Sequence, residues 1–508
     1  MQIPEIKFGK LFCQQDEGQG TVASSFESVN EKEYFGYYKE LLSAGFTKAE
    51  ETEMGENTFA VFSKGGDAVF CAYYPSLKEA RIVTEPKCEY LNFKDTPIGG
   101  RVQPLFTQID LEDFGESVVV RLSDGRFIVY DGGREFEPDA DKLVACLREQ
   151  SPHEKPIVAA WIMTHPHCDH YRCFVVAHRK YPDAFTVERF IYNFTDTEQK
   201  DIERIPTLVK DVEWIRDFEK ITREIGSSVY KAHTGQVYNI GGACLEMLST
   251  PDDTLRPLVN DVNSLSIVVK MTIEGQAIMM CADANLPMTG LARRFGSYLK
   301  SDILQPSHHM FLGGDVEAYD FVDPRVCVVP SFEDDCFGKI SPYQKKCNKE
   351  NLHLFYNLNV EEFYTGSTGN VVLKLPYTPK ANGRKIYLDK IEKYRKSMGA
   401  ESWFFSDLTT EDDEFLFLNM TVETAEVWAD LYFDEVKNIV KSIKISVPPN
   451  RTNRVRILDT EAVDADALFY NHHSLKSKGV PEGEKFTVHF TSDIPIVIKG
   501  KKSPDYYS

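Results

Sequence analysis

The stretch Thr164-His165-Pro166-His167-Cys168-Asp169-His170 carries three imidazoles and one carboxylate between positions 165 and 170. These groups bind transition ions, and imidazole with carboxylate suits zinc before manganese or iron. An apolar run, Ile157-Val158-Ala159-Ala160-Trp161-Ile162-Met163, leads in and predicts a buried strand. In extended backbone alternate side chains project to one side, so His165 and His167 can converge on one ion. Asp169 and His170 follow after the strand turns and can reach a second. Cys168 points away by the same alternation and reads as a packing residue, with no base placed to make it a nucleophile. A chance His-rich surface loop would not be led in by such a strand.

With these residues the chain resembles the metallo-β-lactamase superfamily, whose HxHxDH signature stands here as His165, His167, Asp169 and His170. Other landmarks follow in the family's order. Ser117 to Leu122 and Phe127 to Gly133 are similar to the paired strands and Asp-Gly-Gly turn that open that fold. Ala277 to Ala284 is similar to the strand that ends in the metal-bridging aspartate, here Asp283. Asp302 to His309 is similar to the strand that delivers the last histidine. The adjacent pair His308-His309, together with Asn263-Ser264-Leu265-Ser266-Ile267-Val268-Val269, resembles the branch that includes the hydrolase domain of ComEC competence proteins and bacterial phosphorylcholine esterases. The resemblance implies an α/β fold of αββα type, two facing sheets with helices outside and two divalent cations at one rim.

One landmark departs from the pattern. Many members place a third histidine for the first metal in a Pro-Gly-His-Thr turn, whereas this chain reads Thr250-Pro251-Asp252-Asp253-Thr254 after the strand Ala243 to Ser249. Asp253 falls at that place. Either its oxygen completes the shell or the first metal has fewer protein ligands. His233 precedes a Thr-Gly turn and reads as a solvent-facing loop residue.

The resemblance therefore implies His165, His167, Asp169, His170, Asp253, Asp283, His308 and His309 as metal ligands, with Asp131 orienting a ligand from behind. It implies hydrolysis by a metal-activated hydroxide, zinc being the expected metal and manganese or iron the alternatives. One of His308 and His309 would bind the second metal and the other would face substrate, so Asp169, His308 and His309 form the expected catalytic set. A phosphoester or phosphodiester leads as substrate class. Thioester, lactone or β-lactam hydrolysis comes second, and a non-catalytic metal-binding regulator is the third reading, supported only by the missing histidine. Flavodiiron-type redox enzymes carry glutamate where His167 stands.

A net charge of −20 argues against a broad grip on nucleic acid or an anionic membrane. The 11 cysteines are odd in number and scattered, as reduced thiols would be. The start Met1-Gln2-Ile3-Pro4 does not read as an export signal, and no apolar run approaches the roughly eighteen residues of a membrane span. The expectation is a cytoplasmic protein acting on a small-molecule substrate. No GxGxxG or GxxxxGK[ST] motif opens a helix, so no organic cofactor is expected.

Three regions follow. Residues 1–100 predict a small α+β domain and linker, with a helix from Tyr34 to Leu42 stopped at Gly45. Residues 101–379 predict the hydrolase-like domain, with a long helix on Leu208, Val209, Val212, Ile215 and Phe218, and Gly369 to Pro376 as the last strand of the second sheet. Residues 380–508 predict an accessory domain, mainly β, with helices at Tyr387 to Met398 and Ala425 to Val440. His472-His473 reads there as an exposed turn.

Overall fold

Continuous apolar sequence suits a strand covered on both faces, and Ile157–Met163 lies inside an eight-stranded sheet. Along that sheet run Ser228–Lys231, Arg189–Tyr192, Ile157–Met163, Phe127–Asp131, Ser117–Arg121, Leu105–Gln108 and Val371–Lys374, and the short Thr186–Val187 pairs off this path with Ile157–Met163. The first four are mutually parallel and the rest of the path antiparallel. A seven-stranded sheet runs Val237–Ile240, Ala243–Ser249, Val268–Ile273, Gln276–Met280, Ile303–Gln305, Val326–Val329 and Glu362–Thr365, its last four strands parallel. The structure is a computed structural model. It describes residues 2–112, 114–194, 205–254, 259, 261–331, 353–354, 358, 360–366, 369–380, 383, 401–409, 414–433, 442–456, 461–462, 473–474, 485–492, 494 and 496–500.

Strand alternation sorts the core into layers. Val118, Val120, Ile128 and Ile162 meet Leu245, Met271, Ile278 and Met280 between the two sheets. The alternate residues Val119, Val129, Trp161 and Met163 pack outward with the helices Glu137–Gln150, Cys168–Lys180 and Pro206–Glu224. Of the stripe expected on the last helix, Leu208, Ile215 and Phe218 are buried and Val212 is half-buried, whereas Val209 is exposed, since it stands one residue, about 100° around the helix, from Leu208. The strand expected at Gly369 to Pro376 sits elsewhere: Val371–Lys374 pairs with Leu105–Gln108 at the edge of the first sheet. Its Val371 and Leu373 are buried while Val372 and Lys374 are exposed, the pattern of a half-covered antiparallel edge. Among the described residues no helix is long and apolar enough to cross a membrane.

The chain forms two compact units, Met1–Phe332 with Asn357–Gly383, and Glu333–Tyr356 with Arg384–Ser508. The first unit includes an N-terminal six-stranded antiparallel sheet carrying one helix, Glu31–Ser43. Asn30 caps that helix by accepting from Lys32 N and Glu33 N, and Gly45 stops it at φ 87°. Tyr34, Tyr37, Tyr38 and Leu41, one stripe of the helix, pack on Phe26, Phe62 and Val69 of the sheet.

This small sheet is clamped to the sandwich through buried charge. His233, expected in solvent, is fully buried; its Nδ1 lies 3.0 Å from Asp252 Oδ1 and its Nε2 3.3 Å from Glu85 Oε2, at the end of the small sheet's strand Glu79–Glu85. Asp253 is paired with Arg81 of that same strand and with Arg294 Nη1 at 2.6 Å. Arg294 Nη1 in turn reaches Tyr74 Oη at 3.2 Å.

In the second unit Glu401–Thr409, Lys485–Ser492, Ala425–Phe433 and Ser442–Val447 form one antiparallel sheet, and Arg451–Arg456, Glu414–Asn419 and Val497–Gly500 another. Ala425 therefore begins a strand and not the expected helix. Ala425, Val427, Ala429 and Leu431 are buried at a period of two, which a helix could not place on one face. The helix expected at 387–398 and His472 lie outside the described residues, and His473 begins a short strand, His473–Ser474.

Burial disfavours a charged His233, but Asp252 and Glu85 outweigh it and raise its pKa to about 10. Its protonated form thus contributes stability that is complete below about 6.5 and is lost as pH rises through about 10. His233→Gln should lower denaturant stability at pH 6 by about 3 kcal/mol, the order for breaking a buried pair. The gap from wild type should narrow toward pH 10; a gap independent of pH would mean that His233 is neutral.

Candidate metal centre

Parallel strands bring successive carboxyl ends to one side, and the site lies where those ends meet on both sheets. Asp131 closes Phe127–Asp131, and Thr164 to His170 leave the adjacent Ile157–Met163. Asp283 follows Gln276–Met280, and His308 and His309 follow Ile303–Gln305, again parallel neighbours. His167 immediately precedes the helix Cys168–Lys180, so Asp169 and His170 stand in its first turn.

Asp131 is fully buried, at φ 56°. Its Oδ1 accepts from Thr164 N at 2.8 Å, and its Oδ2 accepts from Thr164 Oγ1 and His170 Nδ1, each at 2.7 Å. With Nδ1 donating there, His170 turns its Nε2 toward Asp283 Oδ1, 3.3 Å away. His309 Nδ1 likewise donates to Pro330 O at 2.6 Å. Its Nε2 then lies 3.4 Å from both Asp169 Oδ2 and Asp283 Oδ1. Asp169, His170, Asp283 and His309 form one tight group, and His165, His167 and Asp283 another. Asp283 belongs to both. Its Oδ1 faces His170 and His309, while its Oδ2 lies 3.9 Å from His165 Nε2 and 3.5 Å from His308 Nε2.

The donor set fits divalent cations. Both Asp283 oxygens, His170 Nε2, His309 Nε2 and His167 Nδ1 are buried without hydrogen-bond partners. Orphaned buried polar atoms of this kind are costly unless a partner, here a cation, meets them. Burial pushes the Asp169 and Asp283 carboxyls up, but the surrounding histidines, His170 foremost, hold both well below the usual carboxylate range. Burial and His170 push His165 down. Burial also opposes charge on His309, yet Asp283 and Asp169 raise it to about 9.

The geometry separates the adjacent histidines: His309 joins the group of Asp169 and His170, and His308 faces the other Asp283 oxygen. Asp253, expected as a ligand, is absent from both groups. Its carboxylate is taken up by Arg81 and Arg294 and by Thr234 Oγ1 at 2.5 Å. A charge so paired has no lone pair aimed at the rim. Cys168, expected to point away from the ligands, instead groups with His167 and Asp169 because the helix already begins at it. Its Sγ lies 3.9 Å from Asp169 Oδ1, and burial, then Asp169, pushes its thiol up to about 11, which disfavours the thiolate that binds metal.

Three residues of the site are given no role by the sequence. Thr164 links Asp131 to His165. Asn263 lies 3.1 Å from both His165 Nε2 and His308 Nε2. Glu116 sits beside Asp131 and His170 with both carboxyl oxygens buried and unpartnered; burial and Asp131 hold its pKa well above the usual range. No local pattern marks Glu116, which Ser117 separates from the run Val118-Val119-Val120.

No protein-family model matches the chain, and no curated protein does. Solved structures do. The metallo-β-lactamase fold protein YhfI from Bacillus subtilis is similar at 11% identity over 53% of this chain and 98% of that one, with a TM-score of 0.32. The Zn2+-bound PqqB from Methylobacterium extorquens is similar at 12% identity over 51% and 87%, with a TM-score of 0.32. The Anabaena sensory rhodopsin transducer is similar at 20% identity over 20% and 84%, with a TM-score of 0.16.

Asp131→Asn should weaken cation binding by about 10–100-fold, because an amide cannot accept from Thr164 and His170 as the carboxylate does. Calorimetric titration with zinc checks this, and unchanged affinity would remove Asp131 from the site. Since His170 and His309 favour their protonated forms, cation uptake must displace protons. Apparent zinc affinity should therefore climb from pH 6 toward 9 with proton release into weak buffer; a flat profile would count against these ligands.

Proposed function

We propose that this chain is a metal-dependent hydrolase of the metallo-β-lactamase superfamily, acting on a phosphoester or phosphodiester with two divalent cations, zinc before manganese or iron. The observation that carries the reading is Asp283, whose two buried, unpartnered oxygens face two different sets of histidines. Two cations held there would supply a water ionised near neutral pH and would polarise a phosphoryl oxygen.

The chain's own residues do the rest. Asp283 joins the two groups, so nucleophile and electrophile are prepared at one point. Asp131 and Pro330 O fix the ring tautomers of His170 and His309, and that orientation exists before substrate arrives. His308, with 18% of its side chain exposed, is the more open of the adjacent pair. Its Nε2 lies 3.1 Å from Asn263 Nδ2, which leaves Nδ1–H to donate to an anionic oxygen or a leaving group. A phosphoester is favoured because two adjacent histidines divide these tasks between binding and donation.

Hydrolysis of bis(4-nitrophenyl) phosphate should be abolished by chelation and restored by zinc or manganese. His308→Gln should lower kcat roughly 10²-fold while metal content is retained. Turnover of thioesters or lactones with none of the phosphodiester would transfer the reading to the carbonyl hydrolases, and no turnover of either by metal-loaded protein would favour a regulator.

A further inference from the structure

We propose that Asn263 is a direct ligand of the first cation, occupying the role that the sequence suggests for Asp253. The inference rests on the metallohydrolase reading and adds to it a residue that the signature does not contain. Asn263 is 6% exposed, on the turn Val262–Leu265. Asp261 Oδ1 accepts from its backbone N at 3.4 Å, and Ile267 N donates to Thr164 O at 3.2 Å, which ties the turn to the signature loop.

Proton accounting at His165 carries the argument. Asp131 Oδ2 offers only lone pairs, so Thr164 Oγ1 spends its single proton there, at 2.7 Å. At its 3.0 Å contact with His165 Nδ1 the hydroxyl must then accept, which places the ring proton on Nδ1. The neutral ring, the form that binds a cation, presents a lone pair at Nε2. Facing it at 3.1 Å is Asn263 Oδ1, which also has only lone pairs. Two buried acceptors at that separation repel unless positive charge lies between them. Donors that share a cation at bonds of about 2.1 Å lie roughly 3 Å apart in an octahedral shell, so the spacing fits.

The amide lies with Oδ1 toward His165 Nε2 and Nδ2 toward His308 Nε2. With Nδ2 turned toward His165 instead, the amide would cap the ligating lone pair and close the first site. The two orientations therefore forecast opposite effects of removing the side chain: loss of a cation in one case, easier uptake in the other. A hard amide oxygen in place of a third imidazole should also shift the first site from zinc toward manganese.

The test is calorimetric titration of chelator-stripped full-length protein with Zn2+ and with Mn2+, with Mn2+ electron paramagnetic resonance as a second readout. Wild type should take two cations. Asn263→Ala should keep one tight site and lose at least about tenfold at the other. Asn263→His should shift the ratio of zinc to manganese affinity at that site at least about tenfold toward zinc, and Asp253→Asn should leave both sites in place. Folded Asn263→Ala that binds two cations with wild-type or higher affinity overturns the inference and leaves the metallohydrolase reading standing. Wild type that binds neither cation overturns that reading itself. Should Asn263→Ala fail to fold, Asn263→Asp decides: a carboxylate of the same shape should tighten Mn2+ at the first site, and unchanged affinity for both metals overturns the proposal.

Discussion

The carboxylate of Asp131 gathers three donors inside the protein, two from Thr164 and one from His170. A buried carboxylate is tolerable only when its lone pairs are met. The end of Phe127–Asp131, the signature loop and the first turn of Cys168–Lys180 must therefore arrive together. Once they do, two imidazole tautomers are set, directly for His170 and through the Thr164 hydroxyl for His165. Trp161 Nε1 also donates to Asp131 O at 2.9 Å, so the apolar strand and the polar loop are fastened at the same residue.

A different device separates the last two histidines. In a regular strand neighbours point to opposite faces, and one of them would be lost from the site. Here His308, His309 and Met310 are left-handed in succession, at φ 47°, 50° and 68°. Each such non-glycine residue costs about 1–2 kcal/mol, and the turn persists because its backbone is tied on both sides. His308 N donates to Ala282 O at 2.7 Å and Phe311 N to His308 O at 2.8 Å. The strained turn sends neighbouring rings to different oxygens of Asp283.

The parts of the site legible from sequence are those held on short local patterns. Periodicity marks the buried strand that leads into His165, His167, Asp169 and His170, whereas Asp131, Asp283 and the pair His308-His309 are placed by resemblance to the family's landmarks, with the choice between the two histidines left to the structure. Asn263 and Glu116 were not legible, because an amide and a carboxyl acquire meaning only from what lies across the rim. Asp253 was misread for a related reason. Its partners Arg81 and Arg294 are remote in sequence, and a carboxylate's use depends on which charge reaches it first. Val371–Lys374 and Ala425–Phe433 show the same limit: their composition is ambiguous until pairing fixes which side chains are covered.

The strand Glu79–Glu85 gives Arg81 to Asp253 and Glu85 to His233, one charge of each sign to the sandwich. Cutting the chain at the glycines near residue 100 would strand a carboxylate and an imidazole on a newly opened apolar face. What looks from composition like a dispensable module is thus part of the sandwich's own polar bookkeeping. Recombination or truncation at that junction would leave Asp253 without Arg81 and His233 without Glu85, so the junction is a seam in the sequence but not in the electrostatics.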